Sequence, residues 1–356
     1  MATTLDLSDE ERKAVKDAVA KAKVGRVFSG IQPTGDLHIG NYLGAVRTWR
    51  QQIEEGKDQT MFCIVDAHAI TVEYDPHELR KKIDGFALDL VACGLDLEKT
   101  ILFVQSDVRE HTELAWYLSA ATPMGDLGRM TQFKDKGEGK DFVSTALFTY
   151  PVLMSADILL YKATIVPVGE DQVQHLELAR ETVRRFNHRW KRLDGTEIFV
   201  EPKPRLSSTP RIMGLDGESK MSKSKGNTID LFEPKESFWE KLRTAYTDPQ
   251  RLRKVDPGRP EVCNIYTMHK AVSPLETQSE VYANCTGAKW GCVDCKKVLF
   301  ENFDKELVPL RAKRETLELD DVRQQLGDGA SKARRIAQET LKEVREAMGL
   351  GSLAKE

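Results

Sequence analysis

Three glycines at five-residue intervals, Gly30, Gly35 and Gly40, lie between an apolar β-like run at Arg26 to Ser29 and a helical run beginning near Asn41. Glycine lets backbone approach a ligand where a Cβ would block it, and a helix starting at such a turn aims free N–H groups at an anion. The plainer reading is a Gly/Pro turn joining a strand to a helix. His38 and Asn41 tip the balance towards a ligand, because a small orientable donor pair at a helix start suits a phosphate or a departing pyrophosphate and is not needed by a turn.

From Arg26 onward the pattern alternates. Apolar, β-rich runs at Val27-Phe28, Met61 to Val65, Ile101 to Val104 and Ile165 to Val168 are separated by helix-period segments such as Pro76 to Ala92 and His111 to Ala120. Short buried strands alternating with helices predict an α/β fold with a doubly wound parallel sheet, and such sheets bind ligands beyond the carboxyl ends of their strands. His68, at the end of the second run, is either a satisfied structural residue or a cleft residue. Lys134, in the stretch inserted before the fourth strand, is either a solvated loop charge or a phosphate contact delivered by a connector.

The segment Tyr150 to Tyr161 carries the most informative single residue. Helical spacing places Asp157 on a stripe with Leu153, Met154, Leu160 and Tyr161, so a carboxylate is buried. An unpaired buried charge costs several kcal/mol, so Asp157 has a partner, either a protein donor or a ligand donor. A ligand donor would make the site reject any compound that lacks it. After the fourth strand, Gly169-Glu170-Asp171-Gln172 forms a second glycine turn opening a helix. Acidic residues there are ordinary helix-dipole partners, but Asp171 and Gln172 facing the cleft of His38 could hold ribose hydroxyls and an amine. Farther on, Lys220-Met221-Ser222-Lys223-Ser224, within a loop from Gly214 to Asn227, is suited to close on a triphosphate and neutralise charge as pyrophosphate leaves.

A net charge of -3 over 356 residues gives no global attraction to nucleic acid, so RNA contact would need local basic patches. No apolar run approaches the roughly 20 residues of a membrane span, and Met1 to Lys23 lacks an apolar signal core. These features predict a soluble cytoplasmic protein without membrane contact. Residues 1 to 23 read as an amphipathic helix, with Ser8 and Glu11 as a capping box. Of six cysteines, Cys63 and Cys93 sit in apolar runs as core residues, whereas the others are spaced Cys263-x21-Cys285-x6-Cys292-x2-Cys295. A Cys-x2-Cys alone is a redox pair or chance; four thiols in one segment supply a metal set, with zinc as the default.

His38-Ile39-Gly40-Asn41 resembles the HIGH signature of class I aminoacyl-tRNA synthetases, and Lys220 to Ser224 their lysine loop. With Ser29 to Asn41, Ile64 to Ile70, Met130 to Lys134, Thr149 to Tyr161 and Val166 to Gln172, the chain from Arg26 to Leu350 resembles the bacterial-type tryptophanyl-tRNA synthetases. That resemblance implies a Rossmann catalytic domain over 25–228 after an N-terminal extension over 1–24. A helical anticodon-binding domain over 229–320 follows, then a last helix within 321–356 that packs back on the catalytic domain, and the enzyme is a homodimer. The implied reaction joins L-tryptophan to ATP, with Mg²⁺, as tryptophanyl-adenylate and passes it to tRNA(Trp).

By the same resemblance, Asp157 accepts the indole N–H, Phe28, Met154, Val166 and Val168 wall the ring with Gly30 and His68 nearby, and Tyr150 and Gln172 face the amino group. Gln32, Pro33, Thr34, Gly40, Asn41, Gly169, Glu170, Asp171 and Ile212 line the ATP site with Met221, Ser222 and Ser224. Lys134, Lys220 and Lys223 act on the phosphates with His38 and Asn41. Solvated surface is the default for the basic residues Arg251, Arg253, Lys254, Lys289, Lys296 and Lys297, but a tRNA contact in this domain would need them. A subset of the family holds a 4Fe-4S cluster on a similar cysteine set whose first gap is one residue longer, so Cys263, Cys285, Cys292 and Cys295 are expected to bind that cluster, or Zn²⁺. The competing reading, a catalytically silent RNA-binding or iron-sulfur-sensing paralogue, predicts a broken lysine loop or a lost Asp157, and both are intact.

Overall fold

The computed structural model describes residues 25–33, 35–133, 143–206, 212–219 and 221–351, so the expected N-terminal helix lies outside the described residues. Five strands form one sheet in the order β3-β2-β1-β4-β5, all parallel: β1 Arg26–Ile31, β2 Gln59–Ile64, β3 Thr100–Val104, β4 Ile165–Val168 and β5 Lys203–Leu206. Four of them fall on the four apolar runs. The sequence pattern does not mark the fifth, because Lys203-Pro204-Arg205-Leu206 is a largely exposed edge strand with no apolar run.

Strand periodicity sorts the core into two layers. Val27, Phe62, Ile64, Leu102 and Val104 face one cluster, and Phe28, Met61, Cys63, Ile101 and Phe103 face the other, as side chains alternating across a pleated sheet must. Cys63 and Cys93 are fully buried, as their apolar surroundings predict.

After β1 the chain forms α1 (Ile39–Asn41), a π-helical turn (Tyr42–Val46) and α2 (Arg47–Glu55). Next come α3 (Asp66–Ala69), α4 (Pro76–Ala92), α5 (Glu110–Ser119), α6 (Met124–Gly128) and α7 (Thr145–Leu159). Helix α4 starts where expected because Asp75 caps it, accepting from His77 and Glu78 N–H groups, with Pro76 at the first position. Following β4, α8 (Val173–Arg189) leads to β5. Among the described residues, the α-helices after β5 are α9 (Lys235–Thr244), α10 (Asn264–Val272), α11 (Leu275–Thr286), α12 (Cys292–Glu315) and α13 (Leu319–Met348). A Rossmann-type sheet followed by a helical domain is therefore the architecture.

Two long helices join the parts. Leu299, Phe303 and Leu307 of α12 enter the first core layer beside Phe238 of α9. Helix α13 spans both layers: Val322 and Leu326 pack in the first, Ala330, Ala333 and Ala337 in the second. It crosses from one to the other over the edge strand β3, at Gly329, where a Cβ would overlap the Leu102 carbonyl oxygen. Small residues at the crossing let helix backbone rest on strand backbone.

Gly329→Ala is expected to destabilise the protein by about 2 kcal/mol or more through overpacking. Gly327→Ala, two residues away and facing open space, should stabilise it by about 0.5–1 kcal/mol through helix propensity. Denaturant midpoints of the two variants should therefore move in opposite directions.

Candidate active site

Strand order reverses at β1, whose neighbours β2 and β4 lead to opposite wings, and a cavity of about 690 Å³ opens at the carboxyl ends of β1 and β4. One side is the glycine turn. The His38 Nδ1 accepts the Asn41 N–H at 3.2 Å while Asn41 Oδ1 accepts the His38 N–H at 3.4 Å, so the two residues cap α1 reciprocally. Gly40 is required here, since a Cβ would press on the His38 ring and on Met221. After only three residues α1 passes into the π turn, which turns Gly44 and Ala45 towards the cavity. Nothing in the local composition signals that turn.

Two neighbouring pieces hold the glycine turn. On one flank, main-chain bonds from Ile39 N to Ile229 O (3.0 Å) and Leu231 N to Leu37 O (2.8 Å) stitch it to the segment after the lysine loop. On the other, buried Asp89 of α4 accepts the Leu37 N–H at 3.3 Å and Arg314 Nε of α12 at 2.8 Å. Burial raises the Asp89 pKa, and Arg314 and the Leu37 N–H oppose that rise.

The lysine loop is framed by Asn227, which is buried, accepts the Ser222 N–H at 2.8 Å and donates to Asp216 at 2.7 Å. Met221 lines the cavity, and Lys223 Nζ lies 3.0 Å from Asp36 and 3.3 Å from Asp230. Lys220 and Thr34 lie outside the described residues, as does Lys134, and nothing is described of the Ser224 side chain.

The floor is Asp157, only 2% exposed, and its partners are protein donors. Oδ1 accepts from His111 Nδ1 at 2.7 Å and Gln105 Nε2 at 2.6 Å; Oδ2 accepts from His68 Nε2 at 2.7 Å. Burial works to raise the pKa of Asp157, but the charge and hydrogen bonds of His68 and His111 outweigh it and hold the carboxyl well below the usual carboxylate range. Asp157 nevertheless faces the cavity, as His68 does. Around them stand Phe28, Gly30, Tyr150, Met154, Val166, Val168 and Gln172, so every residue expected on the tryptophan side lines this one cavity. The Tyr150 hydroxyl meets His175 Nε2 at 2.7 Å, and burial pushes its pKa up to about 12.

Of the residues expected around ATP, Gln32, Gly40, Asn41, Gly169, Glu170, Asp171, Ile212 and Met221 are on the cavity wall. A Cβ on Gly169 would stand 2.7 Å from Asp171 Oδ1, and Gln172 Nε2 donates to Asp171 at 2.9 Å. Pro33, Ser222 and Lys223 are not on the wall. Sequence reasoning missed Gln105, His111 and Tyr161 behind Asp157, and Gln132 and Arg205 at the wall. A lone His in Glu110-His111-Thr112 carries no pattern that could have found it.

The metal expectation is overturned. Among the described residues no group of three or more His, Cys, Asp or Glu side chains is placed to hold a metal ion, so Cys263, Cys285, Cys292 and Cys295 provide neither a 4Fe-4S nor a Zn²⁺ site. Burial pushes the Cys263 and Cys295 thiols up, and Cys285 is raised likewise despite Arg251 beside it. Their contacts are with protein: Arg251 Nη1 lies 3.4 Å from Cys285 Sγ, and His269 Nε2 lies 3.5 Å from Cys295 Sγ. Two of the basic residues expected to serve tRNA also turn inward. Arg251 is buried, and Lys296 donates to the carbonyls of Arg243 (2.8 Å) and Ala245 (2.5 Å) at the end of α9.

His269, fully buried, bonds Ser273 through Nδ1 at 2.7 Å, and burial lowers its pKa to about 4. An unfolded His binds a proton near pH 6.5, so this stabilisation is present above that pH and is lost as pH falls towards 4. Its size is about 3 kcal/mol by linkage. The wild-type denaturant midpoint should fall over that window, and His269→Gln should fall less.

A family model described as tRNA synthetases class I (W and Y) matches residues 21–308. A tryptophan–tRNA ligase of Deinococcus radiodurans is 49% identical over 331 residues, 92% of this chain and 99% of that protein. The crystal structure of tryptophanyl-tRNA synthetase from Campylobacter jejuni complexed with ADP and tryptophan is similar with a TM-score of 0.78 at 37% identity, covering 91% of this chain and all of that one. A tyrosyl-tRNA synthetase of Archaeoglobus fulgidus, at 19% identity and a TM-score of 0.66, shares the fold alone.

Proposed function

Because this chain belongs to the class I tRNA synthetases for tryptophan and tyrosine, we infer that its cavity carries out that chemistry with tryptophan. It is a ligase that activates L-tryptophan with ATP and transfers the tryptophanyl group to tRNA(Trp), releasing AMP and pyrophosphate. The observation that carries this reading is a single cavity with a buried carboxylate at its floor, the capped His38–Asn41 turn at its side and the lysine loop stitched to that turn.

An oxygen of the tryptophan carboxylate bonds to the α-phosphorus of ATP, and the bond from that phosphorus to the β,γ-pyrophosphate breaks. No side-chain nucleophile is needed, because positioning and charge stabilisation suffice. Asp157 accepts the indole N–H, with His68 beside it. Phe28, Gly30, Met154, Val166 and Val168 hold the ring, and Tyr150 and Gln172 face the amino group. The adenosine lies along Gln32, Gly40, Gly169, Glu170, Asp171 and Ile212, while His38, Asn41 and Lys223, with Lys134 and Lys220, meet the phosphates. Mg²⁺ carried by the triphosphate would add charge neutralisation at the leaving oxygens. A ribose hydroxyl at the tRNA 3′ end then attacks the activated carbonyl and AMP leaves.

The domain division proposed is catalytic over 25–228 and anticodon-binding over 229–320, with 1–24 an extension and 321–356 returning to the catalytic part. A cytoplasmic homodimer completes the reading. Among the described residues no helix is long and apolar enough to cross a membrane, and exposed Trp116 and Met124 supply apolar surface for a second copy.

Purified protein is expected to exchange pyrophosphate into ATP with tryptophan and not with tyrosine, and then to charge tRNA(Trp); tyrosine-dependent exchange would overturn the assignment. Asp157→Ala should lower kcat/KM for tryptophan by about a hundredfold while leaving the KM for ATP near normal. Lys223→Ala should lower the rate of adenylate formation by about 10²–10³ with little change in tryptophan affinity, read by single-turnover kinetics.

A further inference from the structure

Behind Asp157, and off the cavity wall, lies a second rank of buried polar groups with no role in the scheme above. Gln105 and His111 are each 1% exposed and Tyr161 is fully buried. A carboxylate has about four lone-pair sites. Two on Oδ1 are taken by His111 and Gln105, and one on Oδ2 by His68. One site on Oδ2 is left.

The orientation of each donor is fixed from its far side. The Ala67 N–H donates to Gln105 Oε1 at 3.2 Å, which turns the amide nitrogen of Gln105 towards Asp157. The Tyr161 hydroxyl sits 2.8 Å from His111 Nε2. That contact holds the ring with Nδ1 facing Asp157. We propose that Gln105, His111 and Tyr161 are positioning residues for specificity: they keep Asp157 ionised and leave one oxygen lone pair to the cavity, matched to a ligand with one N–H donor. This rests on Asp157 as the acceptor for the indole N–H.

Removing a donor from Oδ1 leaves a buried carboxylate under-compensated, so it gains a proton more readily, and a protonated Asp157 presents a donor where the indole needs an acceptor. Tryptophan binding then weakens as pH falls. The other titratable groups facing this cluster are His68 on α3, Cys63 on β2 and Glu110 on α5, with Asp66 and Asp107 farther out. The thiol of Cys63 is pushed up by burial, so it does not imitate the expected change.

The test is the KM for tryptophan in ATP–pyrophosphate exchange between about pH 5.5 and 8. The full chain is compared with His111→Phe, His111→Asn, Gln105→Met and Tyr161→Phe. Wild type should be flat. His111→Phe and Gln105→Met should raise KM by about tenfold near neutrality and add an acid limb, with the KM for ATP unchanged. His111→Asn, whose amide nitrogen can replace Nδ1, should restore the flat profile, and Tyr161→Phe should fall between. If His111→Phe does not fold, Gln105→Met carries the same readout. Flat profiles in the donor-deleted variants, or equal losses in His111→Asn and His111→Phe, would overturn the proposal alone. No tryptophan-dependent exchange in wild type would instead overturn the underlying reading of the site.

Discussion

A parallel sheet whose winding reverses leaves a crevice that no crossover helix can cover, and here it lies between β1 and β4. The rest of the catalytic half is arranged round it. The glycine turn must leave β1 at the crevice lip, where Gly40 lets the His38 ring and Met221 approach main chain. The lysine loop reaches the same place because the strand-like bridge between His38 and Asp230 joins the two segments. Helix α7 drops its one buried carboxylate at the crevice floor.

Polar groups at that floor differ in kind from those at the lip. Asp157 and its donors are enclosed, so each hydrogen bond acts in a medium of low dielectric and each missing one is costly. Lys223, by contrast, is partly exposed between Asp36 and Asp230. Pairs of that sort contribute little to stability and exchange partners easily. A rigid floor that reads a ring and a looser rim that meets phosphates are what this distribution of burial produces.

Much of this was legible in the sequence because the signals were local. Strand and helix periods marked four strands and placed α4, and the buried stripe through Met154, Asp157 and Tyr161 located the floor. Strand β5 was hidden because an edge strand needs no apolar run. Gln105 and His111 were hidden because their importance comes from meeting Asp157 across more than forty positions of sequence. The four clustered cysteines mislead for a related reason. Spacing counts thiols but is blind to where the fold places them, with Arg251 against Cys285 and His269 against Cys295.

The crossing of α13 over β3 at Gly329 bears on how the protein is made. Strand β3 is an outer strand, and its free main-chain groups are a template for pairing with any extended segment nearby. Its cover is synthesised more than two hundred residues later. Until the helical domain has been added, the edge of β3 has no α13 to lie against it, the kind of unpaired strand edge that exposes a chain to association during synthesis. A methyl group at position 329 would weaken that cover once it arrives.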